Sequence, residues 1–189
     1  LRVDRSEANR LRALYWRRYG ATLLGLVRHH GVRVPHFLAE THALPGLEAG
    51  VHSHGHDLAA LRALRGRKLL LTNAPADYAR RVLGALGLAG EFEAVIGFEQ
   101  MRMFGQHRPK PDARMLRWVA ARLRVPASRC VLVEDTLVHQ QSARRVGMGT
   151  VWMQRFARRA PMPDVASPRW AMQTAYVDRR VRALRQLLR

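Results

Sequence analysis

The spacing of apolar positions changes along the chain, and the change divides it. Up to residue 50 they recur every three or four residues, the period of an amphipathic helix. Leu11, Leu14, Tyr15 and Tyr19 predict a first helix with Ser6 at its N-cap. Thr22–His30 predicts a second, stopped by Gly31, and His36–Thr41 a short third before the breaker Leu44-Pro45-Gly46. No strand pattern occurs there, so residues 1–50 read as an all-helical unit. Residues 51–66 form a linker with a short helix at Leu58–Leu64. From residue 67 short apolar runs alternate with helical ones. The runs Lys68–Asn73, Phe92–Ile96, Cys130–Glu134 and Thr150–Met153 read as strands, the first of them buried and the third buried on both faces. Asp77–Leu86, Ala113–Leu123 and Leu137–Gly147 read as helices, with Met101–His107 a loop. Strands separated by helices predict an α/β core with a parallel sheet covered by helices on both faces, over residues 67–156. Residues 157–189 read as an irregular Arg- and Pro-rich tail followed by a closing amphipathic helix, Val177–Leu188, with Val181, Leu184, Leu187 and Leu188 inward.

Composition narrows the picture. The chain has 189 residues, is 48% hydrophobic and contains one cysteine, Cys130. A single cysteine makes no internal disulfide and suits a reducing cytoplasm. No apolar run approaches the roughly 18 residues of a membrane span. The formal net charge of +19 first suggests nucleic acid or acidic lipid. Only Lys68 and Lys110 among the 33 basic residues are Lys, however, and the Arg residues are spread without a dense block or interleaved aromatics. That distribution argues against nucleic acid as the primary partner, although a positive field favours a phosphorylated substrate.

Candidate chemistry collects at strand ends, where open α/β sheets bind ligands. Thr72-Asn73 closes the first strand and Glu134-Asp135 closes the third. Two adjacent acids repel, by about 1 kcal/mol for charges roughly 4 Å apart in water, and a cation relieves that; the alternative is that Asp135 simply caps the following helix. Lys110 stands between the two strand ends in sequence, held by Pro109 and Pro111. Hydroxyl, amide and ammonium groups suit phosphoryl oxygens, and carboxylates suit Mg2+. His52, His54 and His56 beside Asp57 invite a metal reading, but Gly55 makes a solvated, flexible linker the better expectation.

The order Leu71-Thr72-Asn73-Ala74-Pro75, Arg108-Pro109-Lys110-Pro111 and Cys130-Val131-Leu132-Val133-Glu134-Asp135-Thr136 resembles three of the four motifs of the haloacid dehalogenase-like phosphatases. With Tyr19-Gly20-Ala21-Thr22-Leu23-Leu24-Gly25-Leu26 and Tyr176-Val177-Asp178-Arg179-Arg180-Val181, the likeness is to the pyrimidine 5′-nucleotidase branch and runs over nearly the whole chain. The resemblance implies a Rossmann-like core, a helical cap formed by residues 1–50, and Mg2+-dependent removal of phosphate from a nucleoside monophosphate in the cytoplasm. It implies that Thr72 and Asn73 bind the transferring phosphoryl group, that Lys110 neutralises nucleophile and phosphate, and that Asp135 binds Mg2+ with Glu134 as a direct or water-mediated partner. In the cap, Tyr19, Arg28, His29 and His30 are the polar or aromatic candidates for choosing the substrate, with ordinary packing or solvation the stronger reading of each.

The family's first motif, a strand ending in Asp-x-Asp that carries the nucleophile and the general acid/base, is not in this sequence; Val3-Asp4-Arg5-Ser6 has no apolar strand before it. The motif is expected upstream of Leu1, by about 30 to 45 residues. Its strand is expected to lie centrally, between the strands that end in Thr72 and in Glu134. Residues 1–189 alone are then expected to be inactive and poorly folded, with apolar side chains facing a gap. The rival expectations are a non-catalytic relic that keeps a phosphate and metal pocket, and an Arg-rich nucleic-acid binder.

Overall fold

The computed structural model describes residues 1–155 and 174–188. The expected irregular tail at 157–168 lies outside them. The described chain forms two compact units, residues 1–53 with 66–110 and residues 54–65 with 111–189.

The first unit begins with helices. α1 (Arg5–Tyr19) starts at Asp4, whose carboxylate accepts the Glu7 amide at 2.8 Å. Asp4 rather than the expected Ser6 is therefore the cap, because it stands three residues before the amide that needs an acceptor. α2 (Thr22–His30) ends at Gly31, whose φ of 62° is the left-handed conformation glycine adopts without strain. α3 (Val34–His42) and a single turn, α4 (Leu47–Gly50), complete the helical part. Gly25 brings α2 against α1: a Cβ there would lie 2.1 Å from the Tyr15 ring. Leu11, Tyr15 and Leu26 form the core of that crossing.

The same unit holds β1 (Leu69–Leu71), α6 (Ala76–Ala85) and β2 (Ala94–Ile96), with β1 and β2 paired in parallel; the intervening α5 (Gly55–Ala63) belongs to the second unit. The helical part is joined to them by an apolar cluster. Phe98, just past β2, is 1% exposed and packs with Leu23 and Leu38; full burial of such a side chain contributes about 1.5–3 kcal/mol. The expected loop at Met101–His107 is instead a hairpin, β3 (Arg102–Met103) and β4 (Gln106–His107), paired antiparallel. Its two turn residues, Phe104 and Gly105, have φ of 51° and 77°, the signs a two-residue hairpin turn requires. A non-glycine residue at the first of these positions hid the turn from sequence reasoning.

The second unit contains α5 (Gly55–Ala63), α7 (Ala113–Arg122), β5 (Val131–Glu134), α8 (Leu137–Arg145), β6 (Gly149–Met153) and β7 (Arg179–Val181). The three strands form one parallel sheet in the order β5-β6-β7. Gly55, expected in a flexible loop, is the first residue of α5. The expected helix Val177–Leu188 is a correction: Arg179–Val181 is a strand paired with Val151–Met153, and only Leu184–Leu188 is helical, as a 3-10 turn. The cause is tertiary. Asp178 accepts the Thr150 amide and hydroxyl at 2.9 and 3.1 Å, which sets the chain alongside β6 before a helix can start. Val181 is inward at 1% exposure, whereas Leu188 is 48% exposed.

β5 is a second correction. The expectation was burial on both faces, yet Val131 is 61% and Val133 41% exposed. Leu69, Leu70 and Leu71 of β1 are likewise only half-buried. Among the described residues β1 pairs only with β2, and β5 only with β6.

Candidate active site

In the first unit the site starts where β1 stops. Thr72 continues the ladder by donating its amide to Ile96 O at 3.0 Å. Its hydroxyl oxygen accepts the Ala74 amide at 3.1 Å, a local turn that fixes the side chain and leaves the hydroxyl proton for a ligand oxygen. The turn is braced from the end of β2. Ala74 O accepts the Phe98 amide at 3.0 Å, and the Glu99 carboxylate accepts the Ala76 amide at 3.0 and 3.1 Å, a negative group at the start of α6. Gly97 makes this approach feasible: a Cβ there would lie 2.4 Å from the Ala76 nitrogen.

Asn73 and Lys110 are brought together. Asn73 Nδ2 donates to Lys110 O at 2.8 Å, and the Lys110 amide donates to Asn73 Oδ1 at 3.0 Å. These two bonds clasp the backbone of Lys110 to the end of β1 across 37 residues of sequence. Lys110 is 8% exposed, so it is not the solvated surface lysine that a lone Lys usually is. A buried ammonium calls for negative or polar partners.

The second unit carries the acidic pair at the end of β5. Glu134 Oε1 accepts the amides of Asp135 and Thr136 at 3.2 and 3.3 Å, and Oε2 lies 3.3 Å from His139 Nδ1. Glu134, not Asp135, therefore meets the amides at the start of α8, and the residue at that helix's N-cap is Thr136. The reading of Asp135 as a mere cap fails. Asp135 is exposed and accepts the Thr136 hydroxyl at 3.2 Å, while its carbonyl accepts Trp152 Nε1 at 2.9 Å. The hydrogen bond to Glu134, followed by partial burial and the neighbouring charge, raises the Asp135 carboxyl above the usual carboxylate range. The pair thus retains a proton more readily than two separate acids would. A hard divalent cation satisfies the same excess of negative oxygen, so the donor chemistry fits Mg2+ through Asp135. Among the described residues no cluster of three or more His, Cys, Asp and Glu side chains is arranged to hold a metal.

Behind the pair, Gln140 is fully buried and donates Nε2 to Glu134 O at 2.8 Å and to Val151 O at 2.7 Å. It staples the carboxyl ends of β5 and β6 together. Sequence reasoning missed this residue, because a glutamine in a helical run carries no signal of which face it occupies. The cap candidates do form a cluster: Tyr19 Oη lies 2.6 Å from His29 Nε2, Tyr15 Oη 2.7 Å from His30 Nε2, and the Arg18 and Arg28 guanidiniums lie over the Tyr19 ring. In the linker, the His54 and His56 rings stack at 5.3 Å, and Asp57 is buried as an acceptor for Arg155 and the Leu184 amide. Asp57 is committed to packing.

Residues 14–147 match the family model described as haloacid dehalogenase-like hydrolase. The chain is 31% identical over 138 residues to a phosphoglycolate phosphatase of Rhodospirillum rubrum, a match that covers 71% of this chain and 54% of that protein. The chain thus spans about half the length of that relative. Its fold is similar to a HAD phosphatase from Thermococcus onnurineus (TM-score 0.57, 20% identity, 95% of this chain and 85% of that one). It is also similar to the L-2-haloacid dehalogenase from Xanthobacter autotrophicus (TM-score 0.55, 22% identity, 96% and 79%). The chain belongs to the haloacid dehalogenase-like hydrolases.

Proposed function

We propose that this chain is the greater part of a Mg2+-dependent phosphomonoester hydrolase acting on nucleoside 5′-monophosphates, pyrimidine ones first. The observation that carries this reading is the buried Lys110, clasped by Asn73 beside the Thr72 hydroxyl at the carboxyl end of β1. A desolvated ammonium and a hydroxyl proton together suit the negative oxygens of a transferring phosphoryl group. Thr72 binds those oxygens and Lys110 offsets their charge. Asn73, whose amide is engaged with the Lys110 backbone at both ends, acts chiefly by positioning Lys110. Asp135 holds the Mg2+, and Glu134 orients the turn that presents it. The bound cation supplies charge neutralisation at the phosphoryl oxygens.

The nucleophile is the first Asp of an Asp-x-Asp strand outside residues 1–189: its carboxylate attacks phosphorus as the P–O bond to the nucleoside breaks, the second Asp protonates the departing oxygen, and water then hydrolyses the aspartyl-phosphate to free phosphate. Residues 1–189 alone are therefore inactive. The exposed Val131 and Val133 on β5 and the half-buried leucines of β1 support a further strand, since apolar strand faces of that kind are normally covered.

Phosphate release is the test, measured with the chain extended upstream through that strand, with and without Mg2+. The panel contains pyrimidine and purine monophosphates and 2-phosphoglycolate, the last because of the Rhodospirillum rubrum relative. Mg2+-dependent release from pyrimidine monophosphates, lost in Lys110→Ala, is expected. Preference for 2-phosphoglycolate would move the substrate assignment; no release from any ester would sink the hydrolase reading.

A further inference from the structure

At the carboxyl end of the three-stranded sheet the second unit carries a basic pocket that the proposed chemistry does not use. It encloses about 540 Å³ and is walled by Arg155, Arg182, Ala183, Arg185 and Gln186. Arg155 follows β6 by two residues and Arg182 follows β7 directly. Both therefore stand at the edge where parallel sheets gather ligands.

The pocket is rigid on one side and open in charge on the other. The Arg155 guanidinium is fixed three ways: to the buried Asp57 carboxylate, to Arg182 O at 2.9 Å through Nε, and beside His56 Nε2 at 3.4 Å. Asp57 also accepts the Leu184 amide at 3.1 Å, which ties α5 to the pocket floor. Gln186 Oε1 accepts the amides of Arg182 and Ala183 at 2.6 and 3.1 Å, which holds the turn after β7. Arg182 and Arg185 project from this frame as exposed side chains. Among the described residues no acidic side chain lines the pocket, and Asp57 offsets one of its three positive charges. Two arginines without a carboxylate, on a preformed turn, match a doubly charged tetrahedral anion, which takes paired N–H donors from guanidinium forks.

We propose that the Arg155–Arg182–Arg185 pocket binds the phosphate group of a small phosphorylated ligand. β6 and β7 are one and two strand spacings from β5, about 5–10 Å, so the pocket lies at the same sheet edge as Asp135. Its volume exceeds that of a phosphate ion and leaves room for the rest of an organic phosphate.

Isothermal titration calorimetry of the extended chain carrying Lys110→Ala, without Mg2+, tests this with the hydrolytic site silenced, so it stands or falls apart from the hydrolase reading. Ligands are inorganic phosphate, pyrophosphate and uridine monophosphate, in about 0.15 M NaCl to screen the general positive field. Arg182→Ala/Arg185→Ala is expected to weaken binding at least tenfold, and Arg182→Lys/Arg185→Lys by a smaller factor. The charge-matched control Arg2→Ala/Arg5→Ala is expected to change it less than twofold. Equal affinity for phosphate and uridine monophosphate identifies the free ion as ligand; tighter uridine monophosphate identifies an organic phosphate. No measurable binding, unchanged binding in the Arg182/Arg185 variants, or an equal loss in the control overturns the proposal.

Discussion

Asn73→Ala isolates the clasp on Lys110. The substitution deletes two hydrogen bonds of 2.8 and 3.0 Å, both to backbone atoms of one residue. Each is worth about 1 kcal/mol net, and the site is only part-buried, so water replaces some of the loss. The expected cost is about 1–2 kcal/mol. In native-state hydrogen exchange that is a roughly 5- to 30-fold faster exchange of the Lys110 amide, at about 1.4 kcal/mol per tenfold. Asn73→Asp gives a different result: it keeps the acceptor for the Lys110 amide but loses the donor to Lys110 O and sets a carboxylate against that carbonyl. The Lys110 amide should stay protected while overall stability falls by about 1 kcal/mol. Because the grip is on backbone, Asn73→Ala and Lys110→Met should add in stability within about 0.5 kcal/mol and yet both abolish efficient turnover in the extended chain. A Lys110 amide whose exchange changes less than twofold in Asn73→Ala would refute the positioning role.

Gln140→Leu leaves the Glu134 and Val151 carbonyls short of a buried donor. It should cost about 2 kcal/mol in urea unfolding and weaken Mg2+ binding by displacing Asp135. Gly97→Ala places a Cβ 2.4 Å from the Ala76 nitrogen and should cost about 1–3 kcal/mol, with a wild-type melting temperature counting against the close approach. His107 stacks on Phe98 at 4.9 Å, and burial, then the Arg102 charge, lowers its pKa from 6.5. The folded state then holds fewer protons than the unfolded one, so this contribution is present at neutral pH and is lost as pH falls below about 6.5. His107→Phe should flatten the loss of stability between about pH 7 and 5, and an unchanged pH profile would show that the burial has no such effect. Asp178 is depressed mainly by the Thr150 amide, so its contribution persists above the usual Asp range and disappears only as pH falls through its lower folded value. In Asp178→Asn the acid limb of the stability profile below about pH 4 should be shallower, and an identical limb would show that the Thr150 contacts are not coupled to titration.

Much of the first unit was legible because local signals and tertiary structure agree there. Gly31 ends α2 by its conformation, and Asp77–Leu86 differs from α6 by one residue at each end. Thr72, Asn73 and Lys110 were singled out by strand-end position and proline flanking, and the structure adds that Asn73 meets the Lys110 backbone rather than open space. The failures come where distant residues decide. Val177–Leu188 has helical spacing, but Thr150 and Arg144 engage Asp178 and pull the segment into the sheet. Gln140 and Asp57 are polar residues buried by partners 11 and 98 positions away, a separation that periodicity does not encode. The exposure of β5 was also not visible in its composition, since Val-Leu-Val reads the same whether or not a neighbour covers it.

That exposed β5 carries a hazard for the protein outside its folded life. Among the described residues one edge of β5 is unpaired, and a short β-branched segment with an unpaired edge is a template for pairing between copies, the first contact of aggregation. Arg129 stands just before the segment and Glu134-Asp135 just after it, where charges act as gatekeepers against such stacking. The acidic pair is placed where such gatekeepers act. Repulsion between these carboxylates on neighbouring copies opposes pairing of the exposed Val131 and Val133.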